Sequence, residues 1–356
     1  MKVSIVGGGP AGLIAALYLC RIPGAEITVF ERKDESAYQS TLCAEGISLE
    51  KLDKLERETG FCSRPYIARQ VRGIRVVFPN RKYGLVRQDG ATLNRTQWQQ
   101  GMIGFLRQQG VSIRFSTKFL LDHQQEDEGW VVGADGPASK IRARIGGRVD
   151  LVPAVQYRMK SNRPDDCFEV FVGSMFHVHR SMHAYGWVFP KGNGTFNVGA
   201  GGHFRILDRF ISDYGIEGVI EDKGAAPIAV NGTVFEQGRV LLIGDAAGLT
   251  NPITCGGLSA IICCAGYLGR AITAGQPGFY TRLIRQNGLF PSDWCGLAHV
   301  FYPKDEILNK IGYMSGNRPV NPPGGASLVR MALTPQIWSA CFNLMRYLPA
   351  LKRVSW

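Results

Sequence analysis

Apolar positions in this chain fall into two kinds of pattern, short solid runs near the N-terminus and long alternating stretches in the middle. The first run, Val3 to Val6 with one polar interruption, predicts a buried strand, and a helical stretch over residues 13–20 and a second strand over 27–30 follow it. Strand, helix and strand within about thirty residues predict a βαβ unit with parallel strands. Residues 71–86 read as two short strands, 96–109 as a helix, and 111–115 as a further parallel strand. Residues 151–230 alternate apolar and polar in several runs, the pattern of a half-buried antiparallel sheet. The pattern therefore predicts an α/β fold in which a parallel-sheet layer and an antiparallel sheet interleave along the chain. The parallel layer takes residues 1–60, 90–150 and 235–285, the antiparallel layer 61–89 and 151–234, and a helical tail 286–356.

The turn between the first strand and its helix carries chemistry. It reads Gly7-Gly8-Gly9-Pro10-Ala11-Gly12, and the second strand ends on Glu31-Arg32. In a dinucleotide-binding turn the first glycine permits a tight bend, the second lets backbone approach a pyrophosphate, and the third lets helix pack on strand. The helix N-terminus faces the phosphates, and an acid after the second strand accepts from a ribose hydroxyl. Gly7, Gly9, Pro10, Ala11, Gly12, Glu31 and Arg32 are accordingly expected to bind the cofactor. Two later apolar strands end in paired Asp and Gly, at Asp135-Gly136 and Gly244-Asp245, and Arg95 stands ahead of both, just before the helical stretch 96–109. These segments resemble the three-part FAD signature of flavoproteins that include aromatic hydroxylases, halogenases and geranylgeranyl reductases. The resemblance implies FAD as cofactor, with Arg95, Asp135, Gly136, Gly244 and Asp245 among its contacts. It also implies a Rossmann-like FAD-binding domain of the glutathione-reductase type, interleaved with an antiparallel substrate sheet.

Composition limits the remaining possibilities. A length of 356 residues and 45% hydrophobic content suffice for more than one layered domain. The most apolar run, 257–269, is too short to span a bilayer, and the first strand begins at residue 2, so an intracellular, cytoplasmic protein is expected. Nine cysteines without a CxxC repeat predict free thiols in a reducing compartment. The formal charge of +12 suits an anionic lipid surface or a phosphorylated substrate, and no basic tract marks a nucleic-acid partner.

Three further segments narrow the chemistry. Tyr185-Gly186-Trp187-Val188-Phe189-Pro190 is followed by Gly199-Ala200-Gly201, and strand alternation puts Tyr185, Trp187 and Phe189 on one face as an aromatic wall. Cys43-Ala44-Glu45-Gly46-Ile47-Ser48 lies in the loop after the βαβ unit, and Asn251 to Leu258 follows the Gly-Asp pair with Gly256-Gly257 at a helix start. These resemble the YxWxFP…GxG element, the cysteine-bearing loop and the flavin-side loop of the geranylgeranyl reductase family. Ala44 stands where that loop would have glycine, and Cys255 where relatives commonly have glycine.

That resemblance implies reduction of isolated double bonds in isoprenoid chains, on lipids or prenyl diphosphates, by hydride from reduced flavin N5. It places Cys43, Tyr185, Trp187, Gly256 and Gly257 at the reaction, and Cys43, Ala44, Pro252, Gly256, Gly257 and Leu258 at the flavin. Tyr185, Trp187, Phe189 and His179 would meet substrate. Cys43 is open to three roles: proton donor, redox switch, or inert buried thiol. His177, His179 and His183 lack acidic or thiol partners at ligand spacing, so no metal is expected, and His179, Arg158 or Lys160 suits a polar head group.

Two other classes stay open, a flavin monooxygenase of an apolar or aromatic substrate and a non-catalytic prenyl-lipid carrier. The halogenase WxWxIP motif is absent, and a carrier has no use for a complete cofactor signature. With no second dinucleotide fingerprint, the electron donor is a ferredoxin or a visiting NAD(P)H. After Glu306 every charged residue is basic, and residues 336–348 carry one narrow polar stripe on an apolar helix, either buried or lying on a membrane as a peripheral contact.

Overall fold

The computed structural model describes residues 1–39, 43–120, 129–179, 182–251, 254–289 and 304–317. Pro252, the side chain of His179 and the amphipathic segment 336–348 lie outside the described residues or side chains. Two sheets carry the fold.

The smaller sheet is built on β1 (Lys2–Val6) and β2 (Glu26–Phe30), which pair in parallel on either side of the helix α1 (Pro10–Leu19) in sequence. Helix α1 starts three residues before the stretch expected from apolar periodicity. Pro10 sits in its first turn, where the missing N–H costs nothing. With β6 (Ser112–Arg114), β7 (Trp130–Gly133), β15 (Glu236–Gln237) and β16 (Val240–Leu242) the strand order is β15-β16-β7-β1-β2-β6, parallel except for β15.

The larger sheet has eight strands in the order β14-β8-β13-β12-β9-β4-β5-β3. These are β3 (Gly46–Ser48), β4 (Ile67–Val77), β5 (Tyr83–Leu93), β8 (Asp150–Lys160), β9 (Phe168–Phe171), β12 (Gly186–Gly192), β13 (Thr195–Gly201) and β14 (Val219–Val230). All neighbours are antiparallel except β4 and β9. The strands β10 (His177–His179) and β11 (Met182–His183) form a separate hairpin.

Four features depart from the sequence pattern. β4 and β5 are eleven residues each, because polar residues such as Arg72 and Arg87 continue the strands on the exposed side. Gly46–Ser48 pairs with β5 and so belongs to the large sheet, although its sequence position suggests the cofactor layer. The helix Phe204–Tyr214 interrupts the alternating region, with Leu207 and Phe210 buried and Gly215 ending it in a left-handed conformation. The small residues Gly244–Ala247 form one 3₁₀ turn, and the long helix starts only at Leu258.

One apolar cluster joins the two sheets, running from Val3, Ile5 and Leu13 through Ile261 and Leu268 to Phe168, Trp187 and Phe189. A second cluster fills the opposite face of the large sheet beneath the helix Phe204–Tyr214, from Tyr157 and Phe171 to Val198 and Phe210. Residues 187 and 188 belong to different clusters, as strand alternation requires. The helix Asp305–Ser315 docks on the large-sheet layer, where Asp305 accepts from Ser174 N at 2.7 Å and Asn309 O accepts from Asn80 Nδ2 at 2.9 Å. No helix among the described residues is long and apolar enough to cross a membrane.

Candidate active site

The N-terminal turn is shaped by three glycines for three separate reasons. Gly7 has φ +110°, and a Cβ there would lie 2.4 Å from Ala134 O. At Gly12 a Cβ would come 1.9 Å from Gly7 O, so only glycine lets α1 rest on the turn. A Cβ at Gly9 would meet nothing within 4 Å. Gly9 is the N-cap of α1 and offers no side-chain cap, so the free N–H groups of the first turn face open space. That is a cradle for a pyrophosphate. The Gly8 peptide is held from both sides: Glu31 Oε2 accepts its N–H at 2.7 Å, and the Tyr38 hydroxyl donates to its carbonyl. Tyr38 also accepts from Gln99 Nε2 at 2.5 Å, and burial pushes its phenol up to about 12. Glu31 accepts from Lys33 N as well, at 2.8 Å, yet its oxygens keep lone pairs for a ribose hydroxyl. Arg32 is exposed at the strand end.

Arg95, at the start of the helix Arg95–Gln108, has a buried Nε with no hydrogen-bond partner among the described residues. Its charge acts on both Tyr38 and Asp245, so it lies near both the first turn and the Gly-Asp turn. Asp245 accepts from Thr250 Oγ1 at 3.2 Å. Burial raises its carboxyl above the ordinary value, against the opposing charges of Arg95 and Arg142. An orphaned buried guanidinium nitrogen, a desolvated carboxylate and an open helix N-terminus together fit the donors and acceptors that an FAD pyrophosphate and ribityl chain would satisfy.

Asp135 does different work. Its carboxylate accepts from Ser139 Oγ at 2.5 Å and from Lys140 N at 2.7 Å, which starts the short helix Lys140–Arg144, while Gly136 turns with φ +81°. Arg142 in that helix donates to Asp245 O, Ala246 O and Pro137 O at 3.3, 3.2 and 2.7 Å. It staples the two carboxylate turns together. Sequence alone does not single it out, because two of its three backbone-carbonyl partners lie a hundred residues away.

The flavin-side loop after Asp245 is tight and internally bonded. Cys255 N donates to Asn251 O at 2.8 Å, Gly256 N to Thr254 Oγ1 at 3.3 Å, and Gly257 caps the helix Leu258–Ala274. Cys255 has φ +49°, a left-handed conformation that glycine adopts without strain. Burial, and then the Asp245 charge, push its thiol up to about 12, so it stays neutral. A Cβ at Gly257 would lie 3.8 Å from Asp245 Oδ1, so this helix start adjoins the carboxylate.

The wall faces this loop. The Tyr185 hydroxyl donates to Thr254 O, which ties the wall to the loop directly. Tyr185 and Trp187 meet edge to face at 5.9 Å, and Phe189 stacks on Phe168 at 4.3 Å. Tyr185 and Trp187 keep 7% and 8% exposure, whereas Phe189 at 0% forms the inner layer. Gly199 is the register partner of Trp187, and a Cβ there would lie 2.1 Å from Trp187 Cζ2. Gly199 of the YxWxFP…GxG spacing therefore makes room for the indole, and Gly201, whose Cβ would lie 2.2 Å from Ala184 Cβ, lets the two strands approach.

Three polar residues that the motifs do not contain connect this wall to the cysteine loop. Trp187 Nε1 donates to Gln156 Oε1 at 3.1 Å, and Gln156 Nε2 donates to Cys43 O at 3.2 Å. Asn197 Nδ2 donates to Ala44 O at 3.0 Å, and Lys191 Nζ lies 2.5 Å from Glu45 Oε2. The period-two pattern places Gln156, Lys191 and Asn197 on the same face of the sheet as Trp187 and Phe189, but their partners only become apparent in three dimensions.

Comparison with known proteins places the chain. Residues 1–150 match the pyridine nucleotide-disulphide oxidoreductase family. Digeranylgeranylglycerophospholipid reductase 2 of Methanopyrus kandleri is 31% identical over 314 residues, covering 75% of each chain. The chain belongs to the digeranylgeranylglycerophospholipid reductase family. A reductase of the same name from Thermoplasma acidophilum is 28% identical over 312 residues, with 73% of this chain and 74% of the relative covered. In three dimensions a geranylgeranyl bacteriochlorophyll reductase-like protein from Thermoplasma acidophilum aligns with TM-score 0.74 and 20% identity over 97% of this chain and 98% of its own. The flavin-dependent halogenase CmlS shares the fold at TM-score 0.69 and 16% identity, over 93% of this chain and 70% of its own. As a member of this reductase family the chain is an FAD-dependent oxidoreductase.

Proposed function

We propose that this reductase saturates isolated double bonds of geranylgeranyl-type chains carried on lipids or prenyl diphosphates. The observation that carries the reading is the Tyr185–Trp187 wall, opened by Gly199 and hydrogen-bonded to the flavin-side loop in a chain of this family. Reduced FAD, when bound, supplies a hydride from N5 to one alkene carbon.

The protein's own residues do the rest. Trp187 and Tyr185 hold a chain that offers no hydrogen-bonding handle, and they do so by apolar contact that also excludes water. Gly256 and Gly257 leave space at the helix start of Leu258, whose free N–H groups favour negative charge beside them. Cys43, half-buried at the loop under Gln156, holds the proton that the second alkene carbon needs, on Sγ.

Electrons come from a ferredoxin or a visiting NAD(P)H. The enzyme works in the cytoplasm and meets the membrane peripherally, through the basic amphipathic C-terminal segment, because its substrate resides there.

The test is incubation of the purified protein, reduced with dithionite under argon, with geranylgeranyl lipid, followed by mass spectrometry. The expected result is a gain of two hydrogens per reduced double bond. An unchanged lipid rules out the reading, and a gain of one oxygen atom in air would instead make the protein a hydroxylase.

A further inference from the structure

The loop that carries Cys43 is held by more than its sequence motif. Three successive carbonyls are each bound by a different strand: Cys43 O by Gln156 of β8 at 3.2 Å, Ala44 O by Asn197 of β13 at 3.0 Å, and Glu45 O by Leu93 N of β5 at 3.0 Å. Between the second and third sits a buried charge pair. The side chains of Lys191 and Glu45 are 11% and 7% exposed, and Nζ lies 2.5 Å from Oε2. Lys191 spends its other two donors on Leu93 O at 2.8 Å and Asn94 Oδ1 at 3.3 Å, so all three are used. Glu45 also accepts from Asn197 Nδ2 at 3.2 Å.

Glu45 has φ +68°, a conformation a non-glycine residue keeps only when its surroundings enforce it. The same residue's N–H donates to Cys43 Sγ at 3.3 Å. A turn at Glu45 is therefore a turn of the donor aimed at the thiol.

We propose that Lys191, acting through Glu45, is a positioning residue that fixes the Cys43 thiol at the substrate wall. A buried ion pair is a poor device for stability, since apolar residues of equal volume do as well, but it is an effective one for holding a single geometry. Here the geometry held is that of Glu45 N–H against Cys43 Sγ. The inference rests on the reading that Cys43 acts in the reduction.

The test uses full-length, FAD-saturated protein and two independent readouts. The first is the rate of Cys43 alkylation by N-ethylmaleimide, followed by peptide mass spectrometry with exposed Cys62 as internal reference. The second is the first-turnover reduction of geranylgeranyl diphosphate after dithionite reduction. Lys191→Met is expected to change Cys43 alkylation at least about fivefold with Cys62 unaffected. It should also slow reduction by about tenfold or more. Lys191→Arg, which keeps the charge, is expected to restore most of both. If Lys191→Met does not fold, the double variant Glu45→Gln/Lys191→Met, which leaves no buried charge alone, carries the same expectation.

Alkylation of Cys43 at the wild-type rate in either folded variant overturns the proposal. Cys43→Ser separates this from failure of the underlying reading. Wild-type reduction by Cys43→Ser removes the thiol from the mechanism, while altered alkylation in Lys191→Met would still establish the clamp.

Discussion

At Gly7, Gly9 and Gly12 the fold removes side chains so that backbone can approach backbone or a phosphate; at Tyr185, Trp187 and Phe189 it adds the largest side chains available and clears a glycine opposite them. The cradle is local, complete within residues 7–12 and closed by Glu31 and Tyr38. The wall is assembled from β12, β13, β8 and the loop at Cys43, over more than a hundred residues of sequence. A single added methyl group should therefore abolish the first all at once, whereas damage to the second should be graded.

The largest effect is expected at Gly12. An alanine Cβ would sit 1.9 Å from Gly7 O, a backbone atom with nowhere to move, so Gly12→Ala should yield no folded, FAD-loaded protein. Gly9→Ala breaks the comparison inside the cradle itself, since its Cβ enters open space. The apoprotein should melt as wild type does, while FAD affinity falls by about tenfold or more because the methyl occupies the phosphate's place. Thermal melts of apoprotein and FAD titration by fluorescence check both. Wild-type affinity in Gly9→Ala would move the pyrophosphate elsewhere.

Next in size is the wall. Trp187→Ala removes a side chain at 8% exposure and is expected to cost about 3–5 kcal/mol of stability. FAD content should hold while alkene reduction falls by about tenfold or more. Parallel loss of flavin and activity would show that wall and cradle are one cooperative unit, which erases the distinction drawn between them.

The same contrast explains what could be read without coordinates. The roles of Gly7, Gly9 and Gly12 follow from spacing alone, because each is a steric demand within one turn. The shared face of Tyr185, Trp187 and Phe189 follows from alternation. Arg142, Gln156, Asn197 and Lys191 gave no such signal, since Asp245 O, Cys43 O, Ala44 O and the Glu45 carboxylate that they bind are brought near only by the tertiary fold. Asp135 and Asp245 look alike in sequence, each beside a glycine at the end of an apolar strand. One caps a helix and the other is desolvated beside Arg95, a difference that depends on whether an N–H follows within reach. The helix Phe204–Tyr214 was masked by the alternating segments on both sides of it.

Asp245 ties the comparison to pH. Asp245→Ala should weaken FAD binding by about 1.5–3 kcal/mol through loss of a charge-assisted bond. In the apoprotein the sign reverses. Burial holds the folded carboxyl above its unfolded value of about 3.9, so the native state keeps its proton longer, and stability declines as pH rises through that interval. Asp245→Asn carries no such charge and is expected to melt higher than wild-type apoprotein, with the gap widening from acidic to neutral pH. A gap that is constant across that range would show that the carboxyl ionises normally.

The smallest effect is expected at Cys255, which lies where cradle and wall meet. Its backbone is left-handed at φ +49°, an arrangement that costs a non-glycine residue about 1–2 kcal/mol. Glycine relieves that strain but loses about 0.5–1 kcal/mol to the greater freedom of the unfolded chain, so Cys255→Gly should gain no more than about 1.5 kcal/mol. Cys255→Ala keeps the strain and removes only a thiol that burial holds neutral, so it should stay within about 0.5 kcal/mol of wild type. Melting temperatures of the three apoproteins separate backbone from side chain at this one position. Equal melting of the glycine and alanine variants would mean that the loop between Asn251 and Gly257 relaxes freely, and that Tyr185 is bonded to a yielding partner at Thr254, not a rigid one.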